Sequence, residues 1–176
     1  HFLGYTSVER LQELMSGPRG DALPDEVRRA ERIHAGVRKV LERLDSGRPR
    51  CLVHGDAHLG NTYALPSGER GLVDWQIVQR ACWAWDVSYH IATALPIAER
   101  RAAERSLLVH YLDHLRSLGI DAPSWDTAWR TYRESIVYGY NLWAIAGRVA
   151  PPITIEYVTR LGTAVADHGS FELLGV

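Results

Sequence analysis

Apolar residues recur at three- and four-residue steps along most of this chain. Val27, Ala30, Ile33, Val37, Val40, Leu41 and Leu44 do so with Arg and Glu between them. That spacing predicts one long amphipathic helix, stopped by Gly47 and Pro49. Upstream, Leu11, Leu14 and Met15 form a shorter helical pattern. Thr6 followed by Glu9 has the form of a capping box at its start, and Gly17-Pro18 closes it. Beyond about Trp83 the pattern is helical throughout: Val87 to Leu95, Ala98 to Leu118, Ser124 to Val149, and Ile153 to about His168. Pro96, Gly119, Pro123 and Pro151-Pro152 separate these segments. Between the two helical stretches lie three short apolar runs, Cys51-Leu52-Val53, Thr62-Tyr63-Ala64-Leu65 and Gly71-Leu72-Val73. With Pro66-Ser67-Gly68 as a turn between the last two, they read as small strands carrying polar loops. The expected architecture is a single domain over residues 1–176, mainly α with a small β patch near its middle.

Composition narrows the possible partners. With 46% hydrophobic and 23% charged residues, this is an ordinary globular chain with one core. A formal net charge of -1 provides no global field toward nucleic acid or an anionic membrane, so neither is expected as a partner. An anionic ligand must be held by a local site. The apolar stretches are short and interrupted, and no signal-peptide pattern opens the chain, so a cytoplasmic location is expected. Cys51 and Cys82 lack metal-ligand spacing and read as reduced, buried core thiols. Among the six tryptophans and eight tyrosines, most are expected to pack the core. Trp125, Trp129 and Tyr132 are candidates for a substrate-pocket wall.

The β patch concentrates the reactive side chains. His54-Gly55-Asp56-Ala57-His58-Leu59-Gly60-Asn61 follows the first strand, and Val73-Asp74-Trp75 follows the third. An Asp directly after a strand, a glycine-containing loop and an Asn five positions later let one side chain face an incoming hydroxyl while the other turns toward a metal. Asp74, at the end of a neighbouring strand, offers a second hard oxygen. Magnesium takes such oxygens and commonly keeps substrate phosphates among its remaining ligands, a requirement that Asn61 and Asp74 fit.

These two motifs, in this order, resemble the signature of the aminoglycoside phosphotransferase and choline kinase superfamily, whose catalytic lobe is similar to that of protein kinases. The resemblance extends from about residue 25 to the C-terminus. The downstream run around Ala94-Leu95-Pro96, Tyr111, Trp125, Trp129 and Tyr132 looks most like its ecdysteroid-kinase-like and choline-kinase-like branch. It implies the C-terminal lobe of a protein-kinase-like fold and transfer of the γ-phosphate of ATP, with Mg2+, to a hydroxyl of a small molecule. Asp56 would be the catalytic carboxylate and His58 a donor to the transferred group. Asn61 and Asp74 would be the metal ligands, and His54 and Asp86 structural supports of the catalytic loop. The triplet Asp74-Trp75-Gln76 stands where protein kinases carry DFG.

The chain departs from the family pattern by lacking a glycine-rich nucleotide loop, and its sole lysine, Lys39, falls within an amphipathic helix. The expectation is therefore a catalytic lobe that binds nucleotide weakly and whose partner is the missing N-terminal, nucleotide-gripping lobe. Two alternatives stand beside this reading. One is a non-catalytic kinase-like lobe acting as a binding module. The other is a metal-dependent phosphoesterase using His54, Asp56 and His58 as alternating ligands, which would need further histidines at metal-binding spacing.

Overall fold

The computed structural model describes residues 6–43 and 49–176. Seven helices and four three-residue strands are present among them: α1 (Val8–Met15), α2 (Ala30–Glu42), β1 (Cys51–Val53), β2 (Thr62–Ala64), β3 (Arg70–Leu72), β4 (Gln79–Ala81), α3 (Ala84–Ala94), α4 (Ile97–Ser117), α5 (Trp125–Ala144), α6 (Pro151–His168) and α7 (Ser170–Leu174).

Helix α5 is the central element, packed by α2, α3, α6 and α7. Its sequence explains this position. Ala128, Tyr132, Ile136, Val137, Tyr140 and Ala144 are all buried, so apolar residues cover more than one face, as a helix enclosed by several neighbours requires. Ser124 caps its start by accepting from the Thr127 amide. Helix α6 begins on Pro151 and Pro152, where the missing amides belong to the unpaired first turn, and ends at Gly169 in the left-handed conformation. Among the described residues no helix is long and apolar enough to cross a membrane.

Several expectations are corrected. The cap of α1 is Ser7, whose hydroxyl accepts from the Arg10 amide, and not Thr6. Helix α2 starts at Ala30 rather than Val27, and Leu44 lies outside the described residues. The β patch is two separate antiparallel ladders, β1 with β4 and β2 with β3, so a fourth strand has been added and no single sheet forms. Strand β1 is not buried: only Val53 points inward, Leu52 is 69% exposed, and Cys51 is an exposed thiol, while Cys82 is buried. A two-stranded ladder leaves one face of each strand to solvent, here the face of Leu52, while Cys51 shares the face of Val53 at the outer end of the strand. Helix α3 begins three residues before the expected Val87, α5 stops at Ala144, and the short α7 was not anticipated.

The N-terminal end of α4 is locked by a buried charge network. Arg100, fully buried, pairs with Glu104 (2.7 Å) and with Asp167, while His168 Nε2 lies 3.0 Å from Glu104. Burial works to raise the Glu104 carboxyl, but hydrogen bonds from His168 and Arg100 outweigh it and hold the group below the ordinary glutamate range. At Asp167 burial is likewise outweighed, by Arg101 and Arg100. Both carboxylates bind protons less readily folded than unfolded, so their contribution is present above the unfolded carboxylate values and is lost as pH falls through the depressed ones. The urea midpoint of the wild-type chain is expected to fall further between about pH 7 and about pH 3 than that of a Glu104→Gln, Asp167→Asn variant. Equal falls would contradict the assignment.

Candidate functional site

The chain leaves β1 at Val53 and enters a loop, residues 54–61, that is anchored from three directions. Asp86, in the first turn of α3, accepts from the His54 amide through Oδ2 (2.6 Å) and from the Gly55 amide through Oδ1 (2.9 Å). Burial pushes the Asp86 carboxyl up, and these two amide bonds pull against that rise. From α5, the Tyr138 hydroxyl donates to the Gly55 carbonyl at 2.8 Å. One turn beyond Asp86 on α3, His90 Nδ1 lies 2.9 Å from the Ala57 carbonyl, which can only accept, so the ring donates. Gly55 itself sits at φ +84°, and a Cβ there would meet the Ile77 carbonyl oxygen at 2.6 Å. Only glycine fits this turn.

Within the loop, His54 is buried and bonded at both ring nitrogens. Nδ1 accepts from the Asp56 amide (3.2 Å), and Nε2 donates to the Val73 carbonyl (2.7 Å), which fixes one tautomer. The ring also packs against Trp75, with centroids 4.6 Å apart. His54 thereby ties the residue before Asp74 to the amide of Asp56. A second tie runs from the Val73 amide to the Asn61 carbonyl, 2.9 Å. Asp74 follows at φ +62°, the one non-glycine residue in the left-handed region among those described. Asp tolerates that region better than most side chains, and such outliers persist where surrounding structure imposes them.

The Asp56 carboxylate has two unlike oxygens. Oδ1 accepts from the buried Tyr89 hydroxyl at 3.0 Å. Oδ2 faces Asn61 Nδ2 at 3.3 Å and His58 Nε2 at 3.8 Å. Asn61 Nδ2 also donates to the Asp56 carbonyl (2.9 Å), so the donor half of this amide is committed and its oxygen is left available. The Asp74 carboxylate has one long contact, to Gln76 Nε2 at 3.5 Å. Asn61 and Asp74 therefore supply two hard oxygens from backbone segments that are hydrogen-bonded to each other, the donor set a divalent magnesium ion takes alongside phosphates.

His58 caps the 3-10 turn Leu59–Asn61 by accepting from the Gly60 amide through Nδ1 (3.0 Å), which leaves the proton on Nε2, toward Asp56. Burial lowers its ability to ionise and the Asp56 charge counteracts this only in part, so the ring is held below the ordinary imidazole range and is neutral near pH 7. It packs edge-on against Trp143 (5.2 Å between centroids) and beside Tyr157 (5.8 Å).

The alternating metal set is not assembled. Gly55 bends the segment out of an extended conformation, and both nitrogens of His54 are engaged. Among the described residues no group of three or more His, Cys, Asp or Glu could hold a metal ion.

The structure does not bring Trp125, Trp129 and Tyr132 to Asp56. They stack on one another (5.6 and 5.4 Å) beneath Arg105 and against His168. Trp129 lies about 20 Å along α5 from Trp143 at 1.5 Å per residue. The rings that do stand by the loop, Tyr89, Tyr138, Trp143 and Tyr157, were not singled out beforehand. Tyr89 and His90 had a sequence signal, being three and four positions after Asp86 and so on its face of the helix. For the other three, nothing local pointed to the loop.

The model of the phosphotransferase enzyme family matches residues 2–134 of the chain, a span that contains the whole loop, Asp74 and Asp86. The chain belongs to the phosphotransferase enzyme family. Comparison with curated proteins and with solved structures gives no match. Within this family member, the mainly helical fold with small antiparallel ladders places the reactive residues on loops carried by a helical scaffold.

Proposed function

We propose that this phosphotransferase family member is a small-molecule kinase, built on the C-terminal lobe of a protein-kinase-like fold, that moves the γ-phosphate of ATP to an alcohol hydroxyl. One observation carries the reading. Asp56 Oδ2, the carboxylate oxygen not held by a buried hydroxyl, faces His58 Nε2 across 3.8 Å and stands beside the amide whose oxygen, with Asp74, suits a magnesium ion.

In this reading Asp56 Oδ2 accepts a hydrogen bond from the acceptor hydroxyl and takes its proton as the new oxygen–phosphorus bond forms and the bond to the β-phosphate oxygen breaks, releasing ADP. His58, neutral and with its proton on Nε2, donates to an oxygen of the phosphoryl group in transit. Asn61 and Asp74 would hold Mg2+, which when bound neutralises charge on the nucleotide phosphates. His54 and Asp86 keep the two motifs in register. Much of the rate comes from this alignment, because phosphoryl transfer asks for little covalent chemistry from the protein. The adenine and the α- and β-phosphates are gripped, in our proposal, by a β-rich nucleotide-binding lobe acting with this one. The part-exposed ring of Tyr157 beside His58 favours an acceptor that presents an apolar face, such as a choline- or steroid-like alcohol, over a polyhydroxylated aminoglycoside.

A panel of hydroxylated small molecules, incubated with γ-labelled ATP and with this lobe joined to its nucleotide-binding lobe, tests this directly. Label is expected to appear on an alcohol acceptor with Mg2+ present and to vanish in EDTA. Transfer that continues undiminished in EDTA would exclude the Asn61 and Asp74 assignment.

A further inference from the structure

Asp56 is oriented by a buried hydrogen-bond chain that starts two helices away. The Trp143 indole N–H, on α5, donates to the Tyr89 hydroxyl at 2.5 Å, and the Tyr89 hydroxyl, on α3, donates to Asp56 Oδ1 at 3.0 Å. The direction of both bonds is dictated by chemistry. An indole nitrogen can only donate, so it occupies a lone pair of the phenol, and the single phenol proton is left for the carboxylate. Tyr89 is 1% exposed and Trp143 5% exposed, so water does not compete for either group. The seat for the tyrosine ring is cut into α5 as well: a Cβ on Gly139 would stand 2.5 Å from Tyr89 Cδ2 and 2.8 Å from Cγ. A glycine in the interior of a helix is a poor helix former, and here its missing side chain is what lets the ring lie between α3 and α5.

We infer that Tyr89 is a positioning residue for phosphoryl transfer, holding Oδ1 so that Oδ2 alone is presented to the acceptor hydroxyl. This rests on Asp56 as the proton acceptor, the reading given above. The loop fixes where the Asp56 backbone lies, through Asp86, Tyr138 and His54. On the carboxylate itself the loop places one contact, from Asn61 Nδ2 to Oδ2 at 3.3 Å, and among the described residues the contact on the Oδ1 side is the tyrosine hydroxyl. Trp143 also packs edge-on against His58, so the same indole touches a group on each side of the Asp56 carboxylate, Tyr89 at Oδ1 and His58 facing Oδ2.

Tyr89→Phe preserves the ring and deletes the one hydroxyl. On the full chain with Mg·ATP and an acceptor from the panel above, kcat is expected to fall about 10- to 100-fold with KM for ATP unchanged, the signature of misalignment rather than lost binding. Adding Tyr89→Phe to Asp56→Asn is expected to cost nothing further. A wild-type kcat in Tyr89→Phe, or additive losses in the double variant, would overturn the inference. A crystal structure of the Tyr89→Phe protein provides a readout that needs no turnover, and the Asp56 carboxylate is expected to have rotated away from its present orientation. An unmoved carboxylate would overturn the positioning role. If the carboxylate rotates but Asp56→Asn keeps full activity, the phosphotransfer assignment of Asp56 fails while the positioning by Tyr89 stands.

Discussion

Asp56→Asn is expected to lower kcat for phosphoryl transfer by about 10²- to 10⁴-fold while leaving the fold intact. Asparagine keeps the shape of the side chain and can still offer a carbonyl oxygen to the Tyr89 hydroxyl, so the bond on the Oδ1 side survives. The amide nitrogen then stands where Oδ2 stood, facing Asn61 Nδ2 and His58 Nε2, two donors that it cannot satisfy. That side of Asp56 is only partly buried, so water relieves the mismatch and the stability change is small. What is lost is the acceptor for the hydroxyl proton, and no neighbour replaces it. His58 is neutral but spends its unprotonated nitrogen on the Gly60 amide, and the Asp86 carboxylate spends both oxygens on backbone amides. Steady-state kinetics beside a thermal melt checks this: a collapsed kcat with an unchanged melting temperature is the expected pair. Wild-type turnover in Asp56→Asn would remove Asp56 from the chemistry.

The neighbourhood of Asp56, Asn61 and Asp74 was legible because it is written locally. A strand end, a glycine and fixed intervals of five and more residues constrain the backbone before any tertiary contact is made. Asp86 was placed by the family resemblance, since the helical pattern alone began one residue later, at Val87. The partners that complete the site were not. Tyr138, Trp143 and Tyr157 reach the loop only because α5 and α6 pack against α3, and no interval in the sequence encodes a contact over eighty residues such as Tyr138 to Gly55. The aromatic cluster that looked like a pocket wall lies at the opposite end of α5, since a helix of 20 residues separates its two ends by about 30 Å. Strand β4 was missed because Gln79-Arg80-Ala81 has no apolar alternation of its own and is defined by pairing with β1. Leu52 stands on the open face that a two-stranded ladder leaves, which reading β1 as one strand of a buried sheet hides, and Cys51 begins the strand beyond the core that Val53 reaches.

Asp86→Ala is expected to destabilise the fold by roughly 2 to 6 kcal/mol, counting about 1–3 kcal/mol for each backbone donor left without a partner. His54 and Gly55 are both buried, and their amides donate to the two oxygens of this one carboxylate. Alanine provides no acceptor for either amide. Gly55 has more backbone freedom than any other residue type, so the released loop has many conformations available to it. Activity is therefore expected to fall further than the unfolded fraction alone accounts for. A shift of Gly55 also carries away the Asp56 amide held by His54, and with it the carboxylate. Asp86→Asn separates these effects, since its single carbonyl oxygen can keep one of the two amides. It is expected to lie between wild type and alanine in both urea midpoint and kcat. Asp86→Ala with a wild-type midpoint would mean that the two amides find other acceptors. The brace would then belong to Tyr138 and His90, which hold the Gly55 and Ala57 carbonyls from the helices on either side.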